Sequence, residues 1–134
     1  MSKSIYLAGK LHADELQIND FAEELESRGH TVLEKWWLQP KLPTPYLSNK
    51  DTSAPAASAM IKAATQSDVT ILFPSDAILG AAVEFGVALA SADADRQKQI
   101  IVVNPLEVRQ SVFYAHPAVI AVKGLAEIKG MAWY

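Results

Sequence analysis

Val69-Thr70-Ile71-Leu72-Phe73 is a continuous apolar run closed by Pro74-Ser75-Asp76, and Gly80-Ala81-Ala82-Val83-Glu84-Phe85-Gly86-Val87-Ala88-Leu89-Ala90 follows it with helix-forming residues. The first segment is short, β-branched and bounded by turn residues, which predicts a buried strand. The second is alanine-rich and extends to Ala92, which predicts a helix. A strand that is apolar on both faces and feeds directly into a helix is one half of a βαβ unit. The same alternation recurs on either side. Ile5-Tyr6-Leu7-Ala8-Gly9 reads as a strand ending in a turn. Ala13 to Arg28 places Leu16, Phe21, Ala22 and Leu25 on one helical face, with Asp14 as the N-cap and Gly29 at C′. Thr31-Val32-Leu33, Gln99 to Pro105 and Val119 to Val122 read as further strands, Ala56 to Gln66 as a helix, and Gly124 to Lys129 as a short terminal one. Gln39 to Pro55, with four prolines, is expected to be a long substrate-facing loop. The alternation predicts an α/β layered fold on a mostly parallel sheet of about five strands, with helices on both faces. Ligands in such sheets bind beyond the carboxyl ends of the strands, so the loops after Leu7, Leu33 and Phe73 matter most.

Composition sets the outer bounds. The chain has 134 residues, half of them hydrophobic, and a net charge of −3, which fits one globular domain spanning 1–134. No basic stretch supports binding to a nucleic acid polymer. No apolar run approaches a membrane span, and the first residues carry no cleavage-site pattern, so a cytoplasmic protein without a membrane partner is expected. With no cysteine, thiolate metal sites and cysteine nucleophiles drop out. His12, His30 and His116 share no metal-ligand spacing, so neither a metal nor another cofactor is expected.

Carboxylate chemistry is the main option left. Gly80, Ala81 and Ala82 leave a helix start almost bare, so a ligand can approach the free N–H groups. Glu84 is expected in or near that first turn, where the positive helix end favours the ionised form a nucleophile needs. Gly86, disfavoured inside a helix, is expected to mark close packing on the sheet. Gly9-Lys10-Leu11-His12 is either a solvated turn or a ligand loop, with Lys10 and His12 available to an anionic or hydroxyl-rich group. Of Trp36 and Trp37 one is expected in the core, while the other, taken as Trp37, can stack on a planar base. Ser75 and Asp76 are either caps or ligand contacts, and Asp68 reads as a turn-forming aspartate.

Three segments in this order, Ile5-Tyr6-Leu7-Ala8-Gly9, then Ser67-Asp68-Val69-Thr70-Ile71-Leu72-Phe73, then Gly80-x-x-x-Glu84-x-Gly86-x-Ala88, resemble the nucleoside 2-deoxyribosyltransferase family, whose superfamily includes deoxynucleoside 5′-monophosphate N-glycosidases. The resemblance spans most of the chain, and its last motif is the most specific. It implies a flavodoxin-like three-layer fold and a homodimer or higher homo-oligomer whose neighbouring subunits complete each pocket. It implies a nucleoside or nucleotide substrate and cleavage of the base–deoxyribose bond through a covalent ester on Glu84, a logic shared with retaining glycosidases. Tyr6 and Gly9 match the first ligand-binding loop, Gly80 and Ala82 the cradle near the sugar. Trp133-Tyr134 stand where some members carry an aromatic tail that reaches an adjacent site. Two positions depart from the family pattern. Met60 stands near the place of an assisting aspartate, and Ile78 replaces the usual Asp or Ser two residues before Gly80, with Asp76 displaced by two. The leading expectation is therefore a nucleoside deoxyribosyltransferase-like enzyme. The alternatives are a nucleoside monophosphate N-glycoside hydrolase and a non-catalytic nucleotide-sensing module.

Overall fold

The computed structural model describes residues 2–9 and 15–134. Lys10, His12 and the Asp14 cap lie outside the described residues, as does the side chain of Leu16. Strands β1 (Ser4–Gly9), β2 (Thr31–Leu33), β3 (Val69–Phe73), β4 (Gln99–Val103) and β5 (Val119–Val122) alternate with helices α1 (Glu15–Ser27), α2 (Lys50–Gln66), α3 (Gly80–Ala94) and α4 (Leu125–Lys129). The five strands form one all-parallel sheet in the order β2-β1-β3-β4-β5. This is the flavodoxin-like α/β fold in three layers. Its strand order reverses between β1 and β3, which opens a crevice at their carboxyl ends.

Strand alternation sorts the core into two halves. Ile5, Leu7, Val69, Ile71 and Ile101 pack with Phe21 and Leu25 of α1 and Ile128 of α4. Tyr6, Ala8, Leu72, Ile100 and Val102 pack on the opposite face with Ala64 of α2 and Phe85 and Ala88 of α3. Tyr6 therefore points from β1 towards α3. Gly9 ends β1 at φ +152°, and a Cβ there would lie 2.5 Å from the Phe73 carbonyl oxygen of the neighbouring strand. Only glycine lets the two backbones run this close at the mouth of the crevice.

The cap of α1 follows its sequence. Gly29 sits at φ +92°, the His30 amide donates to Leu25 O and the Gly29 amide to Glu26 O, a Schellman ending. Two expectations about helices need correction. First, α2 begins at Lys50, six residues before the expected start, and runs through Pro55. Proline there removes one intrahelical bond, to Asp51 O, but both residues are exposed, so water serves the freed carbonyl. The expected loop shrinks accordingly and also holds a 3₁₀ turn at Tyr46–Asn49, while another, Trp36–Leu38, precedes it. Second, Gly86 does not pack on the sheet. It is exposed, and a Cβ added there meets nothing within 4 Å. The sheet-facing residues of α3 are Phe85, Ala88 and Ala92, and Gly86 falls on the outer flank.

The far end of α2 is closed by a side chain from the β4 entry. Lys98, 6% exposed, donates to Ala64 O and Thr65 O, two carbonyls of the last helical turn. Burial holds its ammonium pKa down at about 8.

Candidate active site

Tyr6 lies on the face of β1 that meets α3, and Glu84 stands in the second turn of that helix. The Tyr6 ring is fully buried, and its hydroxyl finds no well-formed hydrogen bond to the rest of the chain. Its neighbour is the Glu84 carboxylate, and the two perturb one another. Burial, then the Glu84 charge, raises the Tyr6 pKa far above that of a free phenol, so the hydroxyl keeps its proton. Burial raises the Glu84 pKa above the usual glutamate value, and the Tyr6 hydroxyl partly offsets this. The expectation that the helix end favours ionised Glu84 is corrected here. Gly80 is the first residue of α3, no acidic residue lies in its first turn, and Glu84 comes in the second. The macrodipole falls off over that distance, and desolvation dominates. The result is a half-buried, poorly solvated carboxylate beside a buried phenol.

The helix start beside it is open. Leu79 at the N-cap offers no side-chain bond, and Gly80 and Ala82 are exposed. The first amides of α3 are thus available to an oxygen-rich ligand. Ser75 Oγ, at the exit of β3, is buried without a partner.

Other expected site residues are placed differently. Asp76 Oδ1 accepts a 2.6 Å bond from the Arg109 amide, tying the β3–α3 loop to the β4–β5 connection. It lines a groove of about 620 Å³ with Ile78, Ala82, Phe85, Gly86 and Tyr114. Glu84 does not line this groove, which runs along the other flank of α3. Trp37 packs on the α1 face and donates to Asn19 Oδ1 at 3.0 Å. Trp36 donates to Leu7 O at 2.8 Å and touches both halves of the core, so it, rather than Trp37, is the tryptophan beside the Tyr6 face. Asp68 binds the Ser4 amide at 2.8 Å and the Ser4 hydroxyl at 3.0 Å, at the amino edge of the sheet. Asp68 sits in the bend before β3, but its side chain clasps β1 rather than closing a local turn.

The C-terminal aromatics are also at the amino edge. His30 and Trp133 meet edge to face at 5.5 Å, and the Arg28 guanidinium lies 4.1 Å over the Tyr134 ring. Arg28 Nε donates to Tyr134 O at 2.8 Å, and the Tyr134 hydroxyl bonds Glu24. Within its own chain this tail is clasped to α1, at the opposite end of the sheet from Glu84.

One carboxylate that acts on Tyr6 escaped the residue-by-residue reading. Glu34 directly follows β2, and its charge contributes to the raised Tyr6 pKa. The signal was present in part, because the loop after Leu33 is one of the three at the carboxyl edge. Among the described residues no group of three or more His, Asp or Glu could hold a metal ion, and no helix is long and apolar enough to cross a membrane.

No protein-family model and no curated protein sequence matches the chain. Its structure is similar to that of BcmB, a CMP N-glycosidase of Clostridium botulinum. The two are 19% identical, the match covers 96% of this chain and 100% of that one, and the TM-score is 0.57. The likeness is one of fold over the full length of both.

Proposed function

We propose that the protein cleaves the N-glycosidic bond of a nucleoside or nucleotide, with Glu84 as the nucleophile. The observation that carries this reading is a half-buried Glu84 in the second turn of the helix that follows β3, on the side of the sheet where the buried Tyr6 hydroxyl is left without a partner among the described residues. Support comes from the resemblance of the Gly80–Ala88 motif to the deoxyribosyltransferases and from a fold shared with a nucleotide N-glycosidase. In the first step Glu84 attacks the anomeric carbon while the base leaves with the bonding electron pair, through an oxocarbenium-like transition state. The Tyr6 hydroxyl, which has no hydrogen bond among the described residues, is the proposed donor to this carboxylate. A desolvated carboxylate gains by spreading its charge into the ester bond, which is what burial at this position provides. In the second step water or a second base attacks the same carbon and frees Glu84. Gly9, Gly80 and Ala82 are proposed substrate contacts, and Lys10 and His12 are proposed as such from the sequence alone. Trp36 takes the stacking role first given to Trp37, and Asp76 acts by holding the loop.

The hydrolytic branch is favoured over transfer by the fold neighbour, which is an N-glycosidase. As the resemblance implies, copies of the chain are proposed to associate and complete each other's pockets. The test is incubation with deoxynucleosides, ribonucleosides and their 5′-monophosphates, CMP among them, with and without an acceptor base, followed by chromatography. Free base released without an acceptor supports hydrolysis, and a new nucleoside formed only with one supports transfer. Full activity in Glu84→Ala would remove Glu84 from the mechanism.

A further inference from the structure

Gln99 breaks the pattern of its strand. Alternation puts it on the same face of β4 as Ile101, the face that packs towards α1, and its register partner on β3 is the buried Val69. An apolar residue is expected there. The Gln99 amide oxygen is instead buried without a hydrogen-bond partner among the described residues, and so is the indole Nε1 of Trp133. Both residues line one cavity of about 310 Å³ at the amino edge of the sheet, floored by Val69 and Ile120. Five buried side-chain atoms are unpartnered among the described residues, and two of them share this cavity. Folded chains leave few such atoms, so a pair in one cavity points to an occupant that satisfies both.

The two atoms define the chemistry of that occupant. An indole N–H only donates, and an amide oxygen only accepts, so the ligand must carry an acceptor beside a donor. The volume falls at the lower end of small-molecule pockets, about 300–1,000 Å³. Lys3 and Asp68 also line the cavity, and their opposite charges favour a neutral ligand over an ion. The donor is already positioned. His30 meets the Trp133 ring edge to face at 5.5 Å, and the next residue is anchored by the 2.8 Å bond from Arg28 Nε to Tyr134 O. A group fixed in advance loses little freedom when a ligand binds.

We propose that this cavity binds a small neutral molecule through a lactam edge, a ring carbonyl beside a ring N–H. The carbonyl accepts from Trp133 Nε1, and the ring N–H donates to Gln99 Oε1. Free nucleobases such as uracil and simple cyclic amides share this edge. A base released at Glu84 is one source. That link rests on the proposed N-glycosidic cleavage, whereas the binding itself does not.

The Trp133 indole N–H signal in a proton–nitrogen NMR spectrum reads occupancy, and its loss in Trp133→Phe assigns it. Uracil and pyrrolidone should each move this signal to saturation. N-methylpyrrolidone keeps the carbonyl but lacks the N–H, and should bind at least about 10-fold more weakly. Gln99→Leu should weaken both lactams by about 10-fold or more and keep or raise Tm, because it removes a buried oxygen that has no partner. Tighter binding of uracil than of pyrrolidone supports a nucleobase as the ligand, and the reverse supports a simple cyclic amide. Glu84→Gln should bind both as the wild type does. No saturable shift, equal binding of N-methylpyrrolidone, or unchanged binding in Gln99→Leu would overturn the site and leave a cavity filled by water only. If uracil binds here and the wild type cleaves nothing in the nucleoside panel, the link to product fails and the site stands.

Discussion

Glu84 works against the fold in order to be useful. Burial raises its pKa, so the native state holds this proton to higher pH than the unfolded chain does. Stability therefore falls as pH rises above the ordinary glutamate range and the poorly solvated carboxylate ionises. Glu84→Gln should unfold at higher urea concentration than the wild type at pH 7, and the difference should vanish near pH 4. Its kcat should fall by about 1,000-fold or more. The phenol is tested by Tyr6→Phe, which removes a hydroxyl with no other partner. It should leave stability near that of the wild type and reduce kcat by about 10–100-fold, with KM little changed. Glu84 and Tyr6 were legible in the sequence because the motif and strand alternation name them. Their pKa values were not, because burial depends on the neighbouring layer. Glu34 was legible only as a loop residue, since the identity of the adjacent strand is set by packing.

At the scale of elements, strand positions were legible because apolar runs of three to six residues between turn signals have few other solutions. The start of α2 was not, because an exposed proline inside a helix looks the same in sequence as one in a loop. Gly86 was misread for a related reason: its helical neighbours are apolar all round, so spacing alone does not say which face meets the sheet. The structure turns this into a prediction. Gly86 is open on the outer flank of α3, so Gly86→Ala should raise stability by about 1 kcal/mol in chemical denaturation and leave kcat unchanged. Destabilisation instead would mean that another chain covers that flank.

For the whole molecule, the order β2-β1-β3-β4-β5 places chemistry and clasp at opposite ends. Glu84 lies on the helix that leaves the carboxyl end of β3, with Tyr6 inside β1, and Trp133 and Tyr134 pack at the amino edge. Alternation and apolar strands announced the parallel sheet, but the contacts that fasten the tail to α1 are over a hundred residues apart and no local pattern shows them. The Tyr134 pKa is pushed up to about 12, by burial and then by its bond to Glu24, against 10.0 for a free tyrosine. The stabilisation from this bond is therefore fully present below pH 10 and is lost as pH rises from 10 towards 12. The stability difference between wild type and Tyr134→Phe should shrink over that range, with no change in kcat at neutral pH.

The central claim is that Glu84 bonds covalently to the sugar. A nucleoside or nucleotide carrying fluorine at the 2′ position slows the second step, so the ester should accumulate. Acid quenching, proteolysis and mass spectrometry should then find one glycosyl group on the peptide containing Glu84, and none in Glu84→Gln. Release of free base with no adduct on that peptide, or an adduct on another residue, would contradict the account.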